Sequence, residues 1–220
     1  MADPDSHSVL QIFSGMVLAF FSRAITGVRP IWSGTVPSRK QRIYFANHTS
    51  HGDFILLSSS LPLGERARTR AVAGADYWNS NRLRRFIATR LLGTVLVERN
   101  WIERSEDPLL VMLRAIDSGQ SLIFFPEGTR NMTDDPLLRF RAGLYHLAKA
   151  RPDVELVPCW IENMSRVLPK GTFLPVPLLC RVIFGAPLQL QPDEERKNFL
   201  HRAQHALLTL SPHSDGEHRD

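Results

Sequence analysis

The chain has 220 residues, enough for one domain with a buried core. With 43% hydrophobic and 22% charged residues, and 13 Gly and 15 Pro, it is neither disordered, collagenous nor coiled-coil. The formal charge is +5, and Arg far outnumbers Lys among the 27 basic residues, a bias toward planar forks that grip phosphate or carboxylate.

Residues 6–22 carry no Asp, Glu, Lys or Arg. The stretch is at the lower limit of the ~17–25 residues that span a bilayer, and Gln11, Ser14 and Gly15 interrupt it. Asp3 and Asp5 precede it where a secretory signal would carry positive charge. The segment therefore reads as a helix lying in the membrane interface, with Arg23 and Arg29 at headgroup level. The plainer reading is a first helix packed on the core, and the polar stripe of Gln11, Ser14 and Ser22 suits either.

Short runs rich in Val, Ile and Phe predict strands at 41–46, 69–74, 93–98, 120–125, 154–161 and 180–185. Helical patterns fall at 8–24, 52–60, 78–91, 107–118, 141–150 and 193–210. Strands separated by helices predict an α/β fold: a single domain with a largely parallel mixed central sheet flanked by helices, plus the apolar amino-terminal segment. The expected division is 1–30 as a membrane-anchoring segment, 31–210 as the folded domain and 211–220 as a flexible tail. Cys159 and Cys180 each lie in a strand-like run and read as reduced core residues.

The first strand runs into Asn47-His48-Thr49-Ser50-His51-Gly52-Asp53, titratable side chains at the carboxyl end of a strand, where open α/β sheets place their sites. A metal reading is weak. The spacing departs from His-x-His-x-Asp-His, Phe54 stands where the last His would be, and no second ligand cluster follows, so no metal is expected. The alternative is a base and its orienting carboxylate, His48 and Asp53. On one continuous helix they would point about 140° apart. If His48 stays in the loop and the helix begins near Ser50, Asp53 in the first turn can face back to the imidazole. By spacing alone, both could equally be polar loop and cap residues, with Ser50 an N-cap. A second strand delivers Phe125-Pro126-Glu127-Gly128-Thr129-Arg130, a turn carrying a carboxylate, a hydroxyl and a guanidinium. A third ends at Glu98-Arg99, within a stretch from Arg66 to Arg104 where arginines crowd against Asp76, Glu98 and Glu103. Arg82, Arg84 and Arg85 read as a solvated helix face; Arg99 and Arg130 stand out because strands aim them at one sheet edge.

Four blocks in order carry a resemblance: N-H-T-S-H-G-D at 47–53, G-T-V-L-V-E-R at 93–99, F-P-E-G-T-R at 125–130 and L-V-P-C-W-I at 156–161. Together they resemble the 1-acylglycerol-3-phosphate (lysophosphatidic acid) acyltransferases, within the wider glycerolipid acyltransferases. The resemblance implies that His48 and Asp53 are the catalytic pair, and that Arg99, Glu127, Gly128, Thr129 and Arg130 hold the phosphorylated acceptor. It also implies a lysolipid acceptor and an acyl-CoA or acyl carrier protein thioester as co-substrate, with no further cofactor, at the cytoplasmic face of an anionic membrane. Two stretches depart from the pattern or are looser: Glu98 precedes Arg99 where many members have Asp, and Phe140-Arg141-Ala142-Gly143 has Arg where Lys is frequent, which reads as supporting structure. Lys170-Gly171 is also similar to the family, without an assigned role. No G-x-S-x-G elbow is present for a serine esterase. The basic charge would also allow a non-enzymatic lipid- or nucleic-acid-binding protein, but a base with its orienter argues against that, and no nucleic acid is expected.

Overall fold

Every residue of β2 (Arg42–Ala46) is buried, with Ile43 and Phe45 packed on one side and Tyr44 and Ala46 on the other. A strand covered on both faces reads as a continuous apolar run, which made it visible in the sequence. The computed structural model describes residues 9–98, 106–163 and 179–212. Within it β2 is the middle strand of a seven-stranded sheet formed with β1 (Arg29–Trp32), β3 (Thr69–Gly74), β4 (Val95–Val97), β5 (Ser121–Phe124), β6 (Glu155–Glu162) and β7 (Arg181–Phe184), in the order β1-β7-β6-β2-β5-β3-β4. All neighbours are parallel except β6 and β7. The result is the expected mostly parallel α/β domain with helices on its faces.

The side chains of Ile43, Phe45, Leu122 and Leu156 are covered by α6 (Pro108–Asp117), α7 (Gly143–Ala150) and α8 (Arg196–Leu208), through Met112, Ile116, Leu144, Leu147, Phe199 and Leu207. The opposite face, with Tyr44, Ile123, Val157 and Phe184, packs on Leu56 and Leu57 of α2 (Asp53–Ser60) and on Ile25 of α1 (Val9–Thr26). Cys159 and Cys180 are free thiols buried on this face, and burial pushes both thiols above their ordinary pKa, Cys180 to about 11.

Several elements differ from the sequence expectation. The helix expected over 78–91 is broken into α4 (Ala75–Trp78), α5 (Arg82–Phe86) and a π-helical turn at Ile87–Leu91. Asn81 starts a new helix by accepting from Arg84 N at 2.8 Å, a capping bond that ends the preceding turn. α3 (Leu63–Ala67) and β1 were not expected. β1 contains Pro30, tolerated because the strand lies at the sheet edge, and it straddles the boundary expected at residue 30. α8 begins at Arg196 rather than 193, because Asp193 has φ +56° and Glu194 instead closes a turn onto Gln191 N and pairs with Arg202. Residues 164–178, including Lys170 and Gly171, lie outside the described residues.

α1 is oriented against the usual pattern. Its polar groups face the protein: Gln11 donates to Thr89 O, Ser14 to Leu91 O, and Arg23 to Ser59 O, while Ser22 and Ser59 share a hydrogen bond. Its phenylalanines face outward, with Phe13, Phe20 and Phe21 60%, 69% and 56% exposed, while Ala19 and Ile25 pack inward. No described helix is long and apolar enough to cross a membrane.

Candidate active site

β2 and β5 are parallel neighbours, with Phe45 opposite Phe124, so the turns that follow them emerge side by side at the carboxyl edge of the sheet. That register brings the two most distinctive sequence blocks together. After β2 the chain leaves strand geometry at Asn47, whose amide extends the ladder to β6: it donates to Ile161 O and accepts from Ile161 N. His48 remains in the loop and α2 begins at Asp53, with Gly52 as N-cap; Ser50 is not the cap, its hydroxyl accepting instead from Gly52 N. This places Asp53 in the first helical turn, facing back toward His48.

Asp53 is fully buried, and its Oδ2 accepts three hydrogen bonds: from His48 Nδ1 at 2.9 Å, Thr49 N at 2.7 Å and Ser50 N at 2.8 Å. Its Oδ1 has no partner among the described residues. An ionised carboxylate accepts only, so it holds the proton on Nδ1 and leaves Nε2 as the nitrogen able to take a proton. The imidazole stacks on Phe125, with ring centroids 4.2 Å apart, and its edge lines a cleft of about 550 Å³.

The β5 turn supports His48 from the other side. Glu127 is 2% exposed; Oε1 accepts from His48 N and Oε2 from Leu138 N, both at 2.8 Å. Burial nonetheless raises the pKa of its carboxyl group above the ordinary range, with the two amide bonds opposing that shift. Asn131, also buried, donates its backbone N–H to His48 O at 2.6 Å. Thus the main chain of His48 is held at both its N–H and its C=O by one turn. Gly128 adopts φ +71°, a left-handed conformation that favours glycine, and its amide closes the turn onto Phe125 O.

The same cleft collects Gly128, exposed Thr129 and half-buried Arg130 with His48 and His51. His51 stacks on Tyr77 at 4.9 Å, and Arg84 lies over the same ring at 4.6 Å. Burial, then the charge of Arg130, lowers the pKa of His51 below its ordinary value, which favours the neutral imidazole. Arg82 and Arg85 are exposed, as a solvated helix face requires. Arg99 lies outside the described residues. Phe54, Val72, Val97, Met112 and Phe124 give the cleft an apolar wall beside its polar mouth. Among the described residues, no group of three or more His, Cys, Asp or Glu side chains is placed to hold a metal ion.

Of the residues singled out from sequence, the structure brings His48, Asp53, Glu127, Gly128, Thr129 and Arg130 into one corner. Sequence reasoning missed Phe125, Asn131 and the Leu138 amide. An aromatic directly after a buried strand and an Asn in the following turn were the available signals for the first two.

The chain matches the family model described as Acyltransferase over residues 32–162. It is 31% identical to a 1-acyl-sn-glycerol-3-phosphate acyltransferase of Limnanthes douglasii over 160 residues, covering 68% of this chain and 52% of that protein. It is 25% identical to the chloroplastic 1-acyl-sn-glycerol-3-phosphate acyltransferase BAT2 of Brassica napus over 172 residues, covering 76% and 45% respectively. The chain therefore spans about half the length of these curated relatives. The crystal structure of the 1-acyl-sn-glycerophosphate acyltransferase PlsC from Thermotoga maritima superposes with a TM-score of 0.67 at 20% identity, covering 94% of this chain and 80% of that one, a likeness of fold.

Proposed function

The chain belongs to the acyltransferase family, and from that premise we propose that it moves a fatty acyl group from a thioester to the free hydroxyl of a lysolipid, 1-acylglycerol 3-phosphate, giving phosphatidic acid. The observation that carries this reading is the 2.9 Å contact of His48 Nδ1 with buried Asp53 at the mouth of a cleft that also holds Arg130.

Imidazole is too weak a base to ionise an alcohol beforehand. His48 Nε2 takes the hydroxyl proton as the oxygen attacks the thioester carbonyl carbon, an assistance worth roughly 10²–10⁴ in rate. Asp53 stabilises the imidazolium that forms. Collapse of the tetrahedral intermediate breaks the C–S bond, and the proton held on His48 leaves with the thiol, so the products are an ester and a free thiol. Glu127 acts through the backbone, holding His48 in place; Arg130, joined by Arg99, aligns the acceptor through its phosphate. The apolar wall takes acyl chain. The donor is acyl-CoA or an acyl carrier protein thioester.

The same reading assigns α1 to the surface of an anionic membrane, which the acceptor occupies. The support is its inverted pattern: hydrogen-bonding side chains turned to the protein, phenylalanines turned out, with exposed Leu83 and Phe86 of α5 beside Arg82 and Arg85. The boundary between this interfacial segment and the acyltransferase domain, expected at residue 30, moves to the start of β1, since Arg29 and Pro30 pair with β7.

The test is thiol release from an acyl-CoA, with an acyl carrier protein thioester in parallel, on addition of 1-acylglycerol 3-phosphate. Acceptor-dependent release that disappears in a folded His48→Ala variant is the expected result; equal release by parent and variant removes His48 from its role.

A further inference from the structure

The turn that carries Arg130 has a second guanidinium threaded across it. A Cβ placed on Gly128 would lie 2.7 Å from both Cδ and Nε of Arg141 and 3.3 Å from its Cζ, so the side chain of Arg141 runs through the space that only glycine leaves open. The crossing is anchored on the main chain: Arg141 N donates to Pro126 O at 2.8 Å, and three residues earlier Leu138 N donates to Glu127 Oε2. Arg141 is exposed and lines the same cleft as His48 and Arg130, and its guanidinium forms no hydrogen bond or ion pair with any described residue. Asp76 and Glu98, which also line the cleft, each have an interaction of their own. A guanidinium left unpaired in a cleft, beside another, is a standing site for an anion with several acceptor oxygens.

We propose that Arg141 is a substrate-positioning residue that binds the phosphate monoester of the acceptor together with Arg130, and that Gly128 lacks a side chain to let it through. This rests on the acyl-transfer reading for the identity of the ligand. It also departs from the sequence, where Arg141 read as supporting structure. The placement suits the chemistry. Glu127 ties this turn to the main chain of His48, so a phosphate seated there holds a hydroxyl only a few bonds away within reach of the imidazole.

The experiment measures calorimetric binding of a soluble short-chain 1-acylglycerol 3-phosphate and of the matching 1-acylglycerol without phosphate, alongside KM for acceptor and donor. In Arg141→Ala, affinity for the phosphorylated probe should fall about tenfold or more, the cost of a charge-assisted hydrogen-bonded contact. The unphosphorylated probe should bind as before, donor KM and unfolding temperature should stay unchanged, and Arg141→Lys should recover part of the loss. Gly128→Ala should reproduce the same selective loss without adding to it in the double variant. Equal loss of both probes, no loss of either, or a rise in donor KM alone overturns the proposal. If the parent binds the phosphorylated probe but transfers no acyl group, the acyl-transfer reading fails while the role of Arg141 is still decided by binding. A parent that does not bind the phosphorylated probe overturns the role of Arg141.

Discussion

The turns after β2 and after β5 each bury one carboxylate, and the two are used differently. Asp53 gathers three donors on a single oxygen and leaves the other without a described partner, so it grips the His48 ring and its own loop at one point. Glu127 spends one oxygen on each of two backbone amides and touches no side chain through a described hydrogen bond. One carboxylate acts on the proton chemistry of the imidazole; the other acts on where the imidazole is carried. Similar burial therefore says little about role, and the distribution of hydrogen bonds over the two oxygens says a great deal.

Substituting the amide for the acid separates these roles. Asp53→Asn can keep its carbonyl oxygen toward His48 and place its amide group where Oδ1 already lacks a partner. Turnover should fall by roughly 10² or more as the imidazolium loses its counter-charge, with little change in unfolding temperature; a large loss of stability would break the contrast. Glu127→Gln must turn its NH₂ toward one of two amide donors. It should lose about 1–3 kcal/mol of stability by chemical denaturation, with a smaller fall in turnover, and an unchanged denaturation midpoint would show that the two backbone bonds matter little.

Two further substitutions test the surroundings of this pair. Phe20→Asn on the outward face of α1 removes a side chain worth roughly 1.5–3 kcal/mol when buried. It should weaken cosedimentation with anionic vesicles about tenfold while leaving the midpoint of unfolding in place; equal sedimentation would exclude the outward face from membrane contact. The smallest effect is expected at His51. Its folded-state pKa lies below the 6.5 of the free side chain, so the unfolded chain binds the proton first and stability is lost as pH falls from about 6.5 through the depressed value. Over that window the parent should lose melting temperature faster than His51→Asn, and parallel curves would show that no such linkage operates.

The strands of the sheet centre were legible because burial on both faces leaves an uninterrupted apolar signature, as in β2 and β6. β1 was not, because an edge strand needs no such signature and Arg29 and Pro30 argue locally against one. His48 and Asp53 could be named from their types and their place after a strand, but their spacing did not decide whether they meet. That depended on His48 staying in the loop and the helix starting at Asp53. Glu127 was legible as a site residue but not as a brace, since its partners are backbone amides and carry no residue-type signal. The path of Arg141 was hidden for a related reason: it depends on the left-handed turn at Gly128, which becomes meaningful only when the later segment is laid over it.

Among the described residues β1 meets the sheet through β7, with Arg29 opposite Arg181, joining two strands that lie far apart in the sequence. At roughly 5–20 residues per second on the ribosome, the early strand waits on the order of ten seconds for its neighbour. During that interval the phenylalanine-bearing helix before it is already outside the tunnel, without the Cys180 amide that will bond to Thr26 O at its carboxyl end. A lipid bilayer or a chaperone therefore has the opportunity to hold that helix until translation delivers the closing strand.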